Sequence, residues 1–366
     1  MVVGLFTGLL NHGGVERMGR QMAVVLASYA EDRGQSYRLF SLNDPVGTHE
    51  INVEGMLIAI HGFNRNKLLF VWTFTKLLFQ VRLLLLAHPH LAPLAFLLRV
   101  MRSSIPCYVV TYGIDVWEPL SIWHRWALQL MTKVITISQY SLEKLIALQG
   151  VKAENISLLS PSVDKGFLVE ASNLSNMGSD FSRNMTLLTV SRLSTTDSYK
   201  GIDVVLRALP QVLESVPHVQ YSIVGDGDDR ARLEGIAEEV GLRERVVFKG
   251  RVSDAELQNN YRNCDVFVMP SLNEGFGIVF LEAMAFSKPV VGGNHAGTID
   301  VIHDGKNGCL VTYGDTDELS KCLIYLLTEE GIRNRLGKAG RHSVETQFSF
   351  ARFKETFLLL LKEHAC

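Results

Sequence analysis

Short, nearly unbroken apolar runs alternate with segments of helical period, and this constrains the chain more than any other feature. Residues 82–87, 107–112, 134–137, 186–190 and 266–269 are apolar on both faces of an extended segment. Strands covered on both sides, as in a parallel sheet, have this character. Between such runs lie amphipathic helices: 15–30 puts Met18, Met22, Val25 and Leu26 on one face. Further strands are expected at 2–8, 37–42, 56–61, 155–159, 220–225, 246–249 and 289–291. Further helices are expected at 67–80, 91–101, 122–131, from Gly201 onward, and at 316–328, 332–344 and 350–364. The alternation stops at 161–185, which is rich in Ser, Asn and Gly and reads as a linker, and then restarts. Two α/β domains follow, 1–162 and 163–348, plus a last helix in 349–366. Its stripe of Phe353, Phe357, Leu360 and Leu361 suits packing back toward the first domain.

The 366 residues are enough for two or three domains, and at 47% hydrophobic each can bury a core. A formal charge of −2 argues against nucleic acid as a partner. The charge is uneven: 14 Lys/Arg against 10 Asp/Glu in 1–162, and 22 against 28 in 163–366. A mildly basic first half suits contact with an anionic membrane surface. Residues 67–82 (KLLFVWTFTKLLFQVR) are more apolar than a surface helix needs. The segment fits either a helix buried on two sides or one that docks on a bilayer carrying a lipid-linked acceptor. The five cysteines form no CxxC or metal-like cluster, which suits a reduced, cytoplasmic compartment. The N-terminal run lacks a positive leader and reads as a strand, and no uncharged apolar stretch reaches 18 residues.

In parallel sheets, ligands sit beyond the carboxyl ends of the strands. In the first half these ends carry Gly13-Gly14, His88, His90, Tyr112, Asp115 and Ser138. Each residue alone suits a structural role; together they mark a cleft. In the second half, Arg192 and Lys200 flank a loop between a strand end and a helix start. Two cations there would offset a diphosphate, or simply be solvated. Gly225 ends the next strand, and Arg251-Val252 follow the one after. Ser253 and Glu256 have the spacing of a capping box.

Residues 270–290 (PSLNEGFGIVFLEAMAFSKPV) carry the most chemistry. Asn273, Glu274 and Gly275 are turn residues, and Phe276–Ile278 is expected to be the first turn of a helix reaching about Ala285. Unpaired first-turn amides bind anions. Glu274 precedes this turn, and Glu282 lies within the helix with seven residues between them. An anion site with an acid on each side fits a sugar nucleotide. The same spacing also fits an acid favouring the helix dipole plus a solvated glutamate.

Taken in order, Gly13-Gly14, SRL with Lys200-Gly201, IVGDGDDRARLE, FKGRVSDAEL and PSLNEGFGIVFLEAMAFSKPVV resemble the retaining glycosyltransferases of family 4. The resemblance covers almost the whole chain. It implies the GT-B fold, two Rossmann-like α/β/α domains facing across a cleft, the first binding acceptor and the second the nucleotide sugar. It implies that Gly14 donates a backbone N–H to the distal phosphate, while Arg192 and Lys200 stabilise the diphosphate leaving group in place of a metal. Glu274, Gly275 and the amides of Phe276, Gly277 and Ile278 would hold the donor sugar and phosphate. Glu282 would take the ribose hydroxyls, and Arg251 and Val252 would flank the base, with Gly13 and Gly225 also in the donor site. Many members have a histidine before glycine where this chain has Tyr112-Gly113. Tyr112 or His88 would then supply the sugar contact, and Asp115 an acceptor or sugar contact.

The expected activity is transfer of a hexose, with UDP-glucose the first donor to try, to a hydroxyl of a glycan or lipid-linked glycan. It would proceed with retention, without a metal or other cofactor, at the inner face of the cytoplasmic membrane. Three rival readings use the same residues: a sugar-nucleotide epimerase, a glycoside hydrolase acting through Glu274 and Glu282, and a non-catalytic sugar-nucleotide-binding subunit.

Overall fold

The fold is that of a computed structural model, which describes residues 1–11, 13–172 and 185–363. Contacts divide the chain into two units, Met1–Pro161 with Phe350–Cys366, and Ser162–Ser349.

The first unit runs β1 (Val2–Phe6), α1 (Gly14–Glu31), β2 (Tyr37–Ser41), β3 (Gly47–Val53), β4 (Met56–Gly62), α2 (Lys67–Thr75), β5 (Leu83–Leu86), α3 (Pro93–Met101), β6 (Cys107–Thr111), α4 (Ile122–Gln129), β7 (Lys133–Thr136), α5 (Gln139–Gln149) and β8 (Ile156–Leu158). The sheet order is β3-β4-β2-β1-β5-β6-β7-β8, parallel except for the β3·β4 hairpin. Right-handed crossovers place α2, α3, α4 and α5 on one face and α1 on the other. Accordingly Phe70, Phe74, Ala95, Leu98, Ala127, Leu128 and Leu145 share one core with Leu84, Leu86 and Val109.

The second unit contains α6 (Lys165–Ser172), β9 (Thr186–Val190), α7 (Ile202–Ser215), β10 (Gln220–Val224), α8 (Arg230–Glu239), β11 (Val246–Gly250), α9 (Asp254–Asn263), β12 (Val266–Met269), α10 (Ile278–Ala285), β13 (Val290–Gly293), β14 (Cys309–Val311), α11 (Thr316–Thr328) and α12 (Glu330–Gln347). Its parallel sheet has the order β11-β10-β9-β12-β13-β14. The last helix, α13 (Phe350–Lys362), packs on α1 and buries Phe353, Phe357, Leu360 and Leu361. Two buried tyrosines find their acceptors there: Tyr29 Oη donates to the Leu361 carbonyl (3.4 Å) and Tyr108 Oη to the Leu360 carbonyl (3.2 Å).

Several expectations need correction. Strand β3 was not foreseen, because as a polar edge strand (GTHEINV) its faces alternate between half-buried and exposed without an apolar stripe. Helices α5 and α8 were not foreseen either. The proposed linker contains α6, which packs on α10 and brings Phe167 against Tyr261 and Phe286. The rest of it, 173–184, lies outside the described residues, as does His364. Residues 304–308 (DGKNG), whose Asp-Gly and Asn-Gly steps suit a hairpin-like turn, lead instead into β14, which is parallel to β13. Helix α2 stops at Thr75 and is not buried on two sides: Phe70 and Phe74 face the core, while Leu68, Trp72 and the following Phe79 are exposed. Helix α10 begins at Ile278 and not at Phe276, because Gly277 precedes it with a left-handed φ of 95° that cannot continue an α-helix. The capping box of Ser253 and Glu256 forms on α9.

Candidate functional site

In the second unit, β9 and β12 are neighbours from which the chain departs in opposite directions along the sheet, to β10 and to β13. This reversal leaves a crevice beyond the strand ends, the usual ligand position in such sheets. The loop after β9 carries Arg192 and a 3-10 turn, Thr195–Lys200; the loop after β12 carries Glu274 to Gly277.

These two loops are locked together. The Leu272 N–H donates to the Tyr199 carbonyl at 2.9 Å. Gly201 has φ 74°, and a Cβ there would lie 2.7 Å from the Pro270 carbonyl oxygen, so only glycine allows this approach. Lys200 Nζ forms an ion pair with the Glu274 carboxylate, and their side chains are only 17% and 13% exposed. On the far side the Gly297 N–H donates to the Glu274 carbonyl (2.8 Å), and His295 Nδ1 meets the Leu272 carbonyl (2.9 Å). Gly277 lies next to Glu274, its Cβ position 3.3 Å from Glu274 Cγ. Helix α10 therefore starts beside the Lys200–Glu274 pair, and no side chain caps its first turn. Phe276 is buried with its ring on Phe348, which fixes the approach of Gly277 and Ile278.

Arg192 is 82% exposed, and its Nη2 lies 2.9 Å from Asp197 Oδ2. The buried Asp197 also accepts from Tyr199 Oη at 3.2 Å, tying Arg192 to the turn that presents Lys200. Asp197 and Tyr199 were not singled out from the sequence, although both lie in the STTDSYKG loop. Gly225 has φ 132°, and a Cβ there would lie 1.7 Å from the Ser191 carbonyl oxygen. Its N–H donates to the Gly250 carbonyl at 2.9 Å, so the ends of β9, β10 and β11 touch. Beyond them Arg251 is exposed and Val252 half-buried. Glu282 is not a solvated helix residue: it is 3% exposed, and its Oε2 accepts from Tyr261 Oη at 2.7 Å.

The first unit gathers its own set. The loop after β1 is held by buried Asp44, whose carboxylate accepts from Leu9 N (2.7 Å), Leu10 N (3.3 Å) and Ser41 Oγ (2.6 Å). Arg20 Nη1 donates to the carbonyls of Leu9 and Asn11, both at 2.8 Å. Gly13 is then the N-cap and Gly14 the first residue of α1, and neither takes a left-handed φ. Asp44 and Arg20 were missed because most of their partners are backbone groups of the loop after β1, which side-chain pattern does not reveal.

At the ends of β5 and β6, His88 and Tyr112 stack with centroids 6.4 Å apart, and His88 Nδ1 accepts from His90 N at 3.2 Å. Tyr112 Oη is buried without a hydrogen-bond partner among the described residues. Both Asp115 oxygens accept from Tyr112 N at 3.0 Å. Ser138 is separate from this group: it caps α5 through Ser141 N.

Burial, with His90 adding to it, pushes the His88 imidazole down to about 4. Burial pushes the Asp115 carboxyl up to about 6, against the backbone N–H groups of Tyr112, Asp115 and Gly113. The consequences for stability have opposite signs. The neutral His88 contributes fully above pH 6.5, and that contribution is lost as pH falls toward 4. Asp115 contributes most below pH 3.8, and its contribution is lost as pH rises through 6. His88→Gln is expected to reduce the fall in Tm between pH 6.5 and 4, read by calorimetry at matched ionic strength. A fall as steep as in the parent would show that His88 is not held neutral.

Two family descriptions match the chain: "Glycosyltransferase Family 4" over residues 12–167 and "Glycosyl transferases group 1" over residues 180–343. The chain belongs to the group 1 glycosyltransferases of family 4. Its fold is GT-B; a sucrose-phosphate synthase from Thermosynechococcus elongatus superposes with TM-score 0.78 at 22% identity, covering 99% of this chain and 98% of that one. Among curated proteins, a GDP-mannose-dependent alpha-(1-6)-phosphatidylinositol monomannoside mannosyltransferase of Mycolicibacterium smegmatis is 37% identical over 150 residues, 39% of each chain. A D-inositol 3-phosphate glycosyltransferase of Thermomonospora curvata is 32% identical over 218 residues, 55% of this chain and 50% of the relative. The matches thus span between two-fifths and half of these relatives' length.

Within this family 4 chain, ten of the residues named from sequence gather in two groups. Arg192, Lys200, Glu274, Gly275, Gly277, Ile278 and Gly225 gather at the switch point of the second sheet. His88, Tyr112 and Asp115 gather in the first unit.

Proposed function

We propose that the protein transfers a hexose from a nucleoside-diphosphate sugar to a hydroxyl of a glycan or lipid-linked glycan, with retention at the anomeric carbon. The observation that carries this reading is the Lys200–Glu274 pair beside the uncapped start of α10. Without ligand the two charges offset each other. A diphosphate arriving at the α10 amides would draw the Lys200 ammonium, and Glu274 would turn to accept from a sugar hydroxyl. Arg192, on the exposed rim, would add a second cation. Glu282 would take the ribose hydroxyls, and Arg251-Val252 would flank the base. The acceptor hydroxyl attacks from the face the diphosphate leaves, and a diphosphate oxygen takes its proton. Catalysis then rests on positioning and charge stabilisation, with the two cations doing what a metal would otherwise do.

Glycoside hydrolysis would need neither the uncapped start of α10 nor the Lys200 cation beside Glu274. For the donor, the resemblance points to UDP-glucose and the similar mannosyltransferase to GDP-mannose. Thermal-shift measurements against both decide. A donor present at ~100 times its Kd stabilises by roughly 2.7 kcal/mol. No shift with any nucleotide sugar, and no diphosphate release with or without acceptor, would reject the proposal. A C2 epimer formed without acceptor would replace it by the epimerase reading.

The acceptor side is proposed to work at an anionic bilayer on its cytoplasmic side. No described helix is long and apolar enough to cross a membrane. Residues 55–114 contain no Asp or Glu among sixty residues, against six Lys/Arg. On the α2–α4 face Leu68, Trp72, Phe79, Phe96, Trp123 and Trp126 are each more than half exposed. Exposed apolar side chains in and just beyond a stretch whose only charges are cationic suit acidic headgroups. Vesicles with acidic lipid are expected to retain the protein in a salt-sensitive way. The double substitution Trp123→Ala/Trp126→Ala should lower partitioning about tenfold or more. Equal retention on neutral and acidic vesicles would overturn this part.

A further inference from the structure

We infer that Asp228 is a positioning residue that holds the loop carrying Arg192 and Lys200 in place for the diphosphate; this rests on the donor-site reading above. The 3-10 turn Thr195–Lys200 starts behind Ser194, which makes no side-chain cap, so its first N–H needs an acceptor from elsewhere. Asp228, in the loop between β10 and α8, supplies it. Thr195 N donates to Asp228 Oδ1 and Thr195 Oγ1 to Asp228 Oδ2, both at 3.0 Å. The Thr195 N–H, then the hydroxyls of Thr195 and Ser194, hold the Asp228 carboxyl below the usual carboxylate range. The two loops are also joined along their backbones. Leu193 N donates to the Asp226 carbonyl at 3.1 Å and Asp229 N to the Leu193 carbonyl at 2.8 Å, and a Cβ at Gly227 would lie 2.0 Å from that carbonyl oxygen. Three carboxylates in this short loop would repel an anion unless each is engaged. Asp229 takes Arg232 through two bonds of 2.6 Å, and Asp226 lies 3.8 Å from Arg230. Asp228 has no cation partner among the described residues, and both its oxygens are taken by the turn. Within that turn Asp197 holds Arg192 and Lys200 meets Glu274. Asp228 thus fixes the start of the turn through which both cations are placed.

Asp228 and Thr195 are both exposed, so removing their contact should disturb the loop more than the fold. The readout is the advantage of UDP over UMP, and of GDP over GMP, by titration calorimetry with the full chain. The diphosphates carry the second phosphate that the two cations would hold, whereas a general loss of structure would weaken mono- and diphosphates alike. The unsubstituted protein is expected to bind the diphosphate of its preferred base more tightly than the monophosphate. Asp228→Ala should weaken diphosphate binding about tenfold, as when a charged hydrogen-bond acceptor is lost, and leave monophosphate binding within about twofold. Asp228→Asn keeps an acceptor for Thr195 N and offers a donor to Thr195 Oγ1, so it should hold diphosphate binding within about threefold of the parent. Because Asp228 acts through the cations, adding Asp228→Ala to Arg192→Ala should cost about threefold or less in place of tenfold.

An undiminished diphosphate preference in Asp228→Ala, whatever its Tm, overturns the positioning role and leaves the donor site standing. An Asp228→Asn variant as weak as Asp228→Ala does the same, since the charge and not the held turn would then be the cause. Full additivity with Arg192→Ala also overturns it. If Asp228→Ala fails to fold, Thr195→Val, which removes the hydroxyl and keeps the N–H, should give a smaller loss of the same kind, and an unchanged preference there overturns the inference. No diphosphate preference in the unsubstituted chain, or one that survives both Arg192→Ala and Lys200→Ala, rejects the cation-pair reading and the inference with it.

Discussion

Lys200→Ala is expected to lower kcat by roughly 10²–10³-fold at saturating donor, the loss typical when one fixed donor to a developing negative charge is removed. The structure adds a second effect that the sequence does not foretell. Lys200 neutralises Glu274, and both side chains are mostly buried. Removing the ammonium leaves a carboxylate short of its partner, which costs about 2 kcal/mol. For a unit the size of Ser162–Ser349, that lowers Tm by roughly 4–8 °C. The two effects separate in the double variant Lys200→Ala/Glu274→Gln, which should recover most of the Tm and none of the turnover. Arg192→Ala gives the complementary case. Its own side chain is 82% exposed, but its loss leaves the buried Asp197 with Tyr199 Oη alone among the described residues, so a modest fall in Tm should accompany the fall in turnover. Unchanged turnover in both single variants would reject the leaving-group role.

Gly225→Ala is expected to be the most destabilising single-methyl change in the second unit. The residue sits at φ 132°, where side chains are strained, and the new Cβ would lie 1.7 Å from the Ser191 carbonyl oxygen. That atom is backbone at the end of β9 and cannot swing aside, so the strand end carrying Arg192 must move. Backbone strain of ~1–3 kcal/mol and a comparable overpacking cost add up to about 3–5 kcal/mol. The expected fall in Tm is roughly 6–20 °C, with nucleotide affinity falling too because the Arg192 loop is displaced. The contrast is Gly235→Ala, on the exposed side of α8, where a Cβ meets nothing within 4 Å. There the change should be neutral or slightly stabilising. Equal Tm values for the two variants, by differential scanning calorimetry, would mean that the Gly225 corner is not packed as described.

Local pattern sufficed for what depends on neighbours in sequence. Apolar runs of four or five residues located most strands, and helical spacing placed the stripe of α13 correctly at all four positions. The strand ends therefore named most of the candidate residues, since a parallel sheet puts its ligand loops there. Where pattern was weak, the sequence was silent or misleading. Strand β3 has no apolar face, α6 hides its Phe167 in a polar stretch, and Gly277 delays the start of α10 by two residues.

Only the tertiary structure decided which loops meet. Lys200 and Glu274 are 74 residues apart and pair because β9 and β12 are neighbours, an order that periodicity does not encode. The bond from Tyr261 to the buried Glu282 likewise joins α9 to α10 and cannot be read from either helix alone. Local sequence sets the shape of each element; the partner of a polar group is set by which buried faces fit against each other across the sheet.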